Sequence, residues 1–305
     1  MEIARQPVCL LLLVAAVLLM ALASVQVYGF GEDGKFARDS ALAIHAVFGL
    51  LLGGYAACTT LSREMDSGTA LSVLSKPVSR DLFFLAKFAG LSLLVALFSA
   101  GAVCACLLAE NASPKLYVPE PFPLAILLGV PVAALTLAGA ANYRWRWPFA
   151  ATASGLILLG LAGGVAAVVL RQDAAANYRM ADGVLFSVAG TIQWRLVPAG
   201  LLVMLALWLL AGLALALATR FRTPTVIVLC AAALFLGLLA PAGLPATQGW
   251  RSFVPQLRYF WMADALTAGG RIPWSHVGWA AAYAAAFLLV IVPAGLILFR
   301  HRDVR

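Results

Sequence analysis

The sequence predicts an all-α polytopic membrane protein: one domain over residues 1–305, with about eight transmembrane helices. Three observations carry this reading. Of the 305 residues 63% are hydrophobic and only 11% charged, with a mean hydropathy of +0.96, whereas a soluble domain carries roughly 25% charged residues. The apolar residues gather into runs close to the ~20 residues that cross a ~30 Å hydrocarbon core. The charges stand between those runs, with the basic excess concentrated in alternate loops. The net charge of +8 therefore needs no nucleic acid, because basic residues of a membrane protein collect on its cytoplasmic side. No basic, aromatic-interleaved patch exists outside the membrane-flanking loops, so no nucleic-acid partner is expected. The five cysteines all fall in apolar runs, which speaks against a disulfide framework.

Taken in order, the runs lie at about 7–28, 41–61, 82–109, 122–141, 148–170, 197–219, 224–243 and 277–299. The first has the basic lead and small residues of a signal peptide, but it continues apolar to Val27, and an uncleaved first span is expected. With a cytoplasmic N-terminus the inner segments hold 12 basic residues against five acidic ones (Glu2, Glu64, Asp66, Asp81, Asp303). The outer segments are nearly balanced. The positive-inside rule then places both termini in the cytoplasm. Arg171, Arg179 and Arg195 fit this least well, since they fall in an outer loop, 171–196. Two Gly-x-x-x-Gly pairs, Gly49/Gly53 and Gly160/Gly164, allow close helix contact, within one chain or between two copies. Segment 244–276 crowds six large aromatics, among them Tyr259, Trp261 and Trp274, and reads as an interfacial belt or a short re-entrant helix. Trp145 and Trp147, beside Arg144 and Arg146, read as anchors on the inner face.

Ser62–Lys87 is the most charged stretch and sits between the second and third spans. It reads as a short surface helix stopped by Pro77, with Asp66, Ser67 or Thr69 able to cap it. Leu71, Leu74 and Val78 line one apolar face. Ser79 then caps the next helix, whose first turn holds Asp81 at the positive end of the helix dipole.

Glu64, Gly68-Thr69, Leu74, Ser75-Lys76-Pro77-Val78-Ser79-Arg80 and Lys87 together resemble the signature of the type-2 ABC transporter permeases, with Ala86 in place of the glycine usual before the lysine. Val254-Pro255-Gln256, Phe260-Trp261, Asp264-Ala265 and the terminal Phe299-Arg300-His301-Arg302-Asp303-Val304 add a weaker likeness. The resemblance implies a permease subunit, not an enzyme, that forms the translocation path and exports its substrate, with ATP hydrolysed in a separate partner subunit. It implies that 62–80 is a cytoplasmic coupling helix docking on a separate ATP-binding-cassette subunit. Arg63, Glu64, Thr69, Leu74, Lys76, Arg80 and Asp81 would make the contact, Gly68 would give the backbone freedom, and Pro77 would break the elbow from the third span. It further implies a second permease copy or paralogue, a bacterial plasma membrane, no directly bound cofactor, and ATP held by the partner subunit.

The spans support that division of labour. Apart from His45 and the interfacial Lys87, the runs carry no Asp, Glu, His, Lys or Arg, whereas ion-coupled carriers need such groups at membrane depth. No G-x-x-x-x-G-K-[ST] phosphate loop is present, and Cys104 and Cys106 point apart on a helix, so neither a catalytic nor a metal site is expected. Two other classes remain open: a non-transporting scaffold that uses the elbow to bind a partner, and a membrane-embedded lipid-modifying enzyme.

Overall fold

The computed structural model describes residues 6–26, 33–66, 80–113, 120–182, 192–239 and 255–300. Of 33, 62–66, 80, 172–182 and 267–269 only the backbone is described. Among these residues there are eight α-helices and no strand. They are α1 Pro7–Val25, α2 Asp33–Asp66, α3 Arg80–Ala112, α4 Pro121–Trp145, α5 Phe149–Asp182, α6 Leu196–Ala218, α7 Thr223–Leu239 and α8 Trp274–Arg300. Two 3-10 helices, Leu257–Phe260 and Asp264–Gly269, precede α8. Helices are the necessary outcome, because hydrocarbon offers no partner to an unpaired backbone N–H or C=O. The protein is thus an all-α polytopic membrane protein.

Seven of these helices are long and apolar enough to cross a membrane, one fewer than the eight expected. The exception is α7, described over 17 residues, about 26 Å at 1.5 Å per residue. Other helices outrun their apolar runs. α2 begins at Asp33 and continues to Asp66, so Asp66 ends a helix instead of capping one. α5 runs on to Asp182. The extensions are polar but free of proline and mostly good helix formers, and hydropathy marks the membrane, not the helix. Arg38 and Glu110 stand just outside the apolar runs but inside α2 and α3, and both are buried.

The chain divides into two compact units. The first comprises Met1–Phe48, Leu97–Gly200 and Leu266–Gly270. Within it α1, α4 and α5 pack on one another. Gly160 and Gly164 of α5 receive Val130 and Ile126 of α4, so this Gly-x-x-x-Gly seam is filled from the same chain. Gly101 of α3 receives Leu158 of α5. His45 is fully buried and shares a 2.9 Å hydrogen bond between Nε2 and Ser99 Oγ. The turn between α4 and α5 is set by Arg146, a left-handed residue (φ 54°) whose N–H donates to Asn142 O. Asn142 Nδ2 in return donates to Trp147 O at 2.5 Å. Trp145 and Trp147 are both exposed on that turn.

The second unit comprises Gly49–Ala96, Leu201–Ala265 and Arg271–Arg305. Gly49 and Gly53 of α2 receive Leu207 and Ala211 of α6, again within one chain. Trp208 Nε1 donates to Ser92 O at 2.9 Å, tying α6 to α3. Gly212 of α6 takes Leu288 of α8, and Gly295 of α8 takes Ala216 and Phe84. Small residues at each crossing let backbones approach, which is how helices gain contact where lipid removes the hydrophobic drive.

Candidate functional site

α2 ends at Asp66 and α3 begins at Arg80, so the charged elbow joins these two helices. Gly68, Thr69, Leu74, Lys76 and Pro77 lie outside the described residues, as does the expected cap Ser79. Arg63 and Glu64 stand on the last turns of α2, and Arg80 opens α3. Asp81 is described in full. Its carboxylate takes a two-pronged hydrogen bond from Arg300, with Nε to Oδ1 at 2.7 Å and Nη2 to Oδ2. A guanidinium fork on a carboxylate fixes geometry as well as charge. The pair also suits both helix dipoles, an acid in the first turn of α3 and a base in the last turn of α8.

Behind the ion pair the contact is aromatic. Phe83 stacks on Phe299 at 6.0 Å, and Phe84 meets the same ring at 5.9 Å. Phe84 is 1% exposed and lies over Gly295, where a Cβ would come within 2.9 Å of its Cζ. Lys87 Nζ sits 5.2 Å from the Phe83 ring, within cation–π range. The start of α3 is therefore locked onto the end of α8. Sequence reasoning places Asp81 in the elbow contact without its partner. The available signal is an acid at a helix start and a base at a helix end, but they stand 219 residues apart.

A second cluster occupies the first unit. Glu110 Oε1 lies 3.8 Å from Arg38 Nη1 and 3.8 Å from Arg195 Nη2. Arg38 also pairs with Asp39 at 3.1 Å and donates to Leu266 O at 3.3 Å. Arg38 and Glu110 are 4% and 8% exposed, Arg195 21%, so α2, α3, the turn before α6 and a 3-10 helix are joined by one small set of charges. Arg195 is one of the residues that fit the loop-charge pattern poorly, and Glu110 balances it. Arg171, another, lies 4.6 Å from the Phe122 ring. Asn111, in the formal sequon Asn111-Ala112-Ser113, is buried at the end of α3.

Residues 2–139 match the family model described as ABC-2 family transporter protein. Over that stretch the chain is similar to the ABC-2 transporter proteins. The match runs from the N-terminus through α1, α2, the elbow and α3 into α4, and it bears out the resemblance read from the elbow residues. An ABC-2 permease is a membrane subunit of a transporter and not an enzyme by itself. No curated protein and no solved structure matches the chain. The Asp81–Arg300 lock stands where the elbow enters α3, and the charge cluster around Glu110 lies in the other unit.

Proposed function

We propose that this ABC-2 permease is the path-forming subunit of an exporter, driven by a separate ATP-binding subunit that docks on residues 62–80. The observation that carries the reading is that the family match spans the elbow, where Glu64, Gly68, Thr69 and the run Ser75–Arg80 hold the resemblance. The drive must come from outside the chain, which has no phosphate loop of its own; ATP binds the partner.

The mechanism is mechanical. Arg63, Glu64, Lys76 and Arg80 offer charges to the docking surface, Thr69 and Leu74 its polar and apolar contacts, Gly68 the backbone freedom and Pro77 the break before the third span. When two ATP-binding subunits close, the push enters α3 at its first turn. The Asp81–Arg300 fork and the Phe83, Phe84 and Phe299 rings pass it to α8, so both helices tilt together. The permease acts beside a second copy or a paralogue in a bacterial inner membrane, with its elbow on the cytoplasmic side.

The test is purification from native membranes, with and without Glu64→Ala and Arg80→Ala. An ATP-binding subunit that co-purifies with the wild type and is lost, or no longer drives transport, in the variants supports the reading. A chain that emerges alone, with variants indistinguishable from it, refutes the docking role.

A further inference from the structure

The second unit holds a cavity of about 380 Å³ that the coupling mechanism does not use. Its ten lining residues are all apolar. Leu209 and Leu213 come from α6, Ala233 from α7, Leu257 from the first 3-10 helix, and Phe287 and Val290 from α8. The 3-10 helix forms one wall because it folds back along α7: Leu257 is 1% exposed and rests on Gly237, where a Cβ would come within 2.9 Å of Pro255 O. The fold-back is deep. Gln256 N–H donates to the Tyr283 hydroxyl at 2.9 Å, and Tyr283 lies about 14 Å along α8 from Trp274. Segment 255–260 thus lies against α8 as far along it as Tyr283. Val290 and Ala286 line the cavity and are also exposed, so it opens on the flank of α8, which faces hydrocarbon in a membrane.

The surroundings are ordered by polarity. From Phe287 a row of rings runs toward the start of α8: Tyr283 at 4.9 Å, Trp279 at 5.4 Å from Tyr283, and His276 at 6.1 Å from Trp279. Tyr259 packs edge-on against both Trp279 and Tyr283, and His276 Nε2 donates to its carbonyl at 3.0 Å. Arg258, exposed beside it on the same short helix, adds a positive charge. The walls change from apolar side chains, with little exposed backbone between them, to polar-tipped rings and then to a guanidinium on the 3-10 helix. A predominantly apolar chamber of this size offers little to a polar solute and disfavours one by desolvation, whereas it suits a hydrocarbon chain.

We propose that this chamber binds an anionic single-chain amphiphile of the fatty-acid class, its chain between α6, α7 and α8 and its head toward Tyr259, His276 and Arg258. The site does not depend on the permease reading, since it needs no ATP-binding subunit. The test uses the full chain in lipid nanodiscs and a fatty acid carrying a photoreactive diazirine near its tail, with labelled peptides mapped by mass spectrometry. Label concentrates on the peptides of Leu257 and of Ala286–Ile291 above the level at lipid-facing Leu159, which is 72% exposed. Ala286→Phe at an exposed position, and independently Ala233→Phe, fill the chamber and remove that excess while label at Leu159 is kept. Arg258→Gln weakens competition by an unlabelled fatty acid about three- to fivefold, the scale of one exposed charge pair, and leaves a fatty alcohol unaffected. Label no denser in the chamber than at Leu159, or unchanged by both filling variants, overturns the proposal. So does capture of a second copy of the chain through Val290 in place of the probe.

Discussion

Glu110 balances two guanidiniums with a single oxygen. The two 3.8 Å separations are within ion-pair range but longer than hydrogen bonds, so the cluster is held by charge more than by geometry. Buried charges are poorly repaid by such contacts, yet losing one partner is worse, because the rest stay buried and unbalanced. Glu110→Ala is therefore expected to cost about 3 kcal/mol, the low end for a buried pair because Arg195 keeps some solvent access. Thermal unfolding in detergent measures it, and replacing Arg38, Glu110 and Arg195 together by methionine should recover most of the loss. A single variant as stable as the wild type would show that water already screens the cluster. Arg146 is a local case with the opposite sign. Its left-handed φ of 54° is a conformation glycine adopts without penalty, so Arg146→Gly should raise the same midpoint, by up to about 1 kcal/mol. None of the charge cluster is legible in the sequence. Arg38 and Glu110 stand just beyond apolar runs, where a charge reads as solvated, and nothing in a linear pattern reveals that the helices continue through them.

At the scale of elements, the spans are legible because the bilayer dictates their length, while the seams between them are only half so. Gly160-x-x-x-Gly164 announces a close contact but not with whom. The contact is α4: a Cβ at Gly160 would lie 2.7 Å from Val130 Cγ1, and Gly164 faces Ile126. Spacing i and i+4 on both helices makes two interlocking pairs from one crossing. Gly160→Leu should then overpack an intrachain interface and cost about 1–3 kcal/mol, with Val130→Ala restoring part of it. Size-exclusion chromatography with light scattering separates the readings. An intrachain seam loses stability at unchanged oligomeric state, whereas a seam between copies would lose the oligomer first. The same reasoning covers Gly49 and Gly53 against Leu207 and Ala211 of α6.

For the whole molecule the question is how a push on a loop becomes a movement of helices. An elbow joined only to α2 and α3 would tilt those two and leave α8 behind. The lock at the base of α3 changes that, since Asp81 and Arg300 are paired through two hydrogen bonds and three phenylalanines stack behind them. Asp81 is thus a transmitting residue in this reading, and its charge is spent inside the chain instead of on the ATP-binding subunit. The two roles predict different genetics. If Asp81 acts through Arg300, then Asp81→Arg loses ATP-driven transport while the ATP-binding subunit still co-purifies, and adding Arg300→Asp restores transport by rebuilding the pair in reverse. If Asp81 instead faces the partner, the single variant weakens co-purification and the exchange does not rescue it. Transport and ATP hydrolysis measured side by side on vesicles decide between them: hydrolysis that persists without transport in Asp81→Arg, and recoupling in the exchanged pair, is the expected result. The exposed position of both side chains makes the pair a weak contributor to stability, so the exchange reads coupling and not folding.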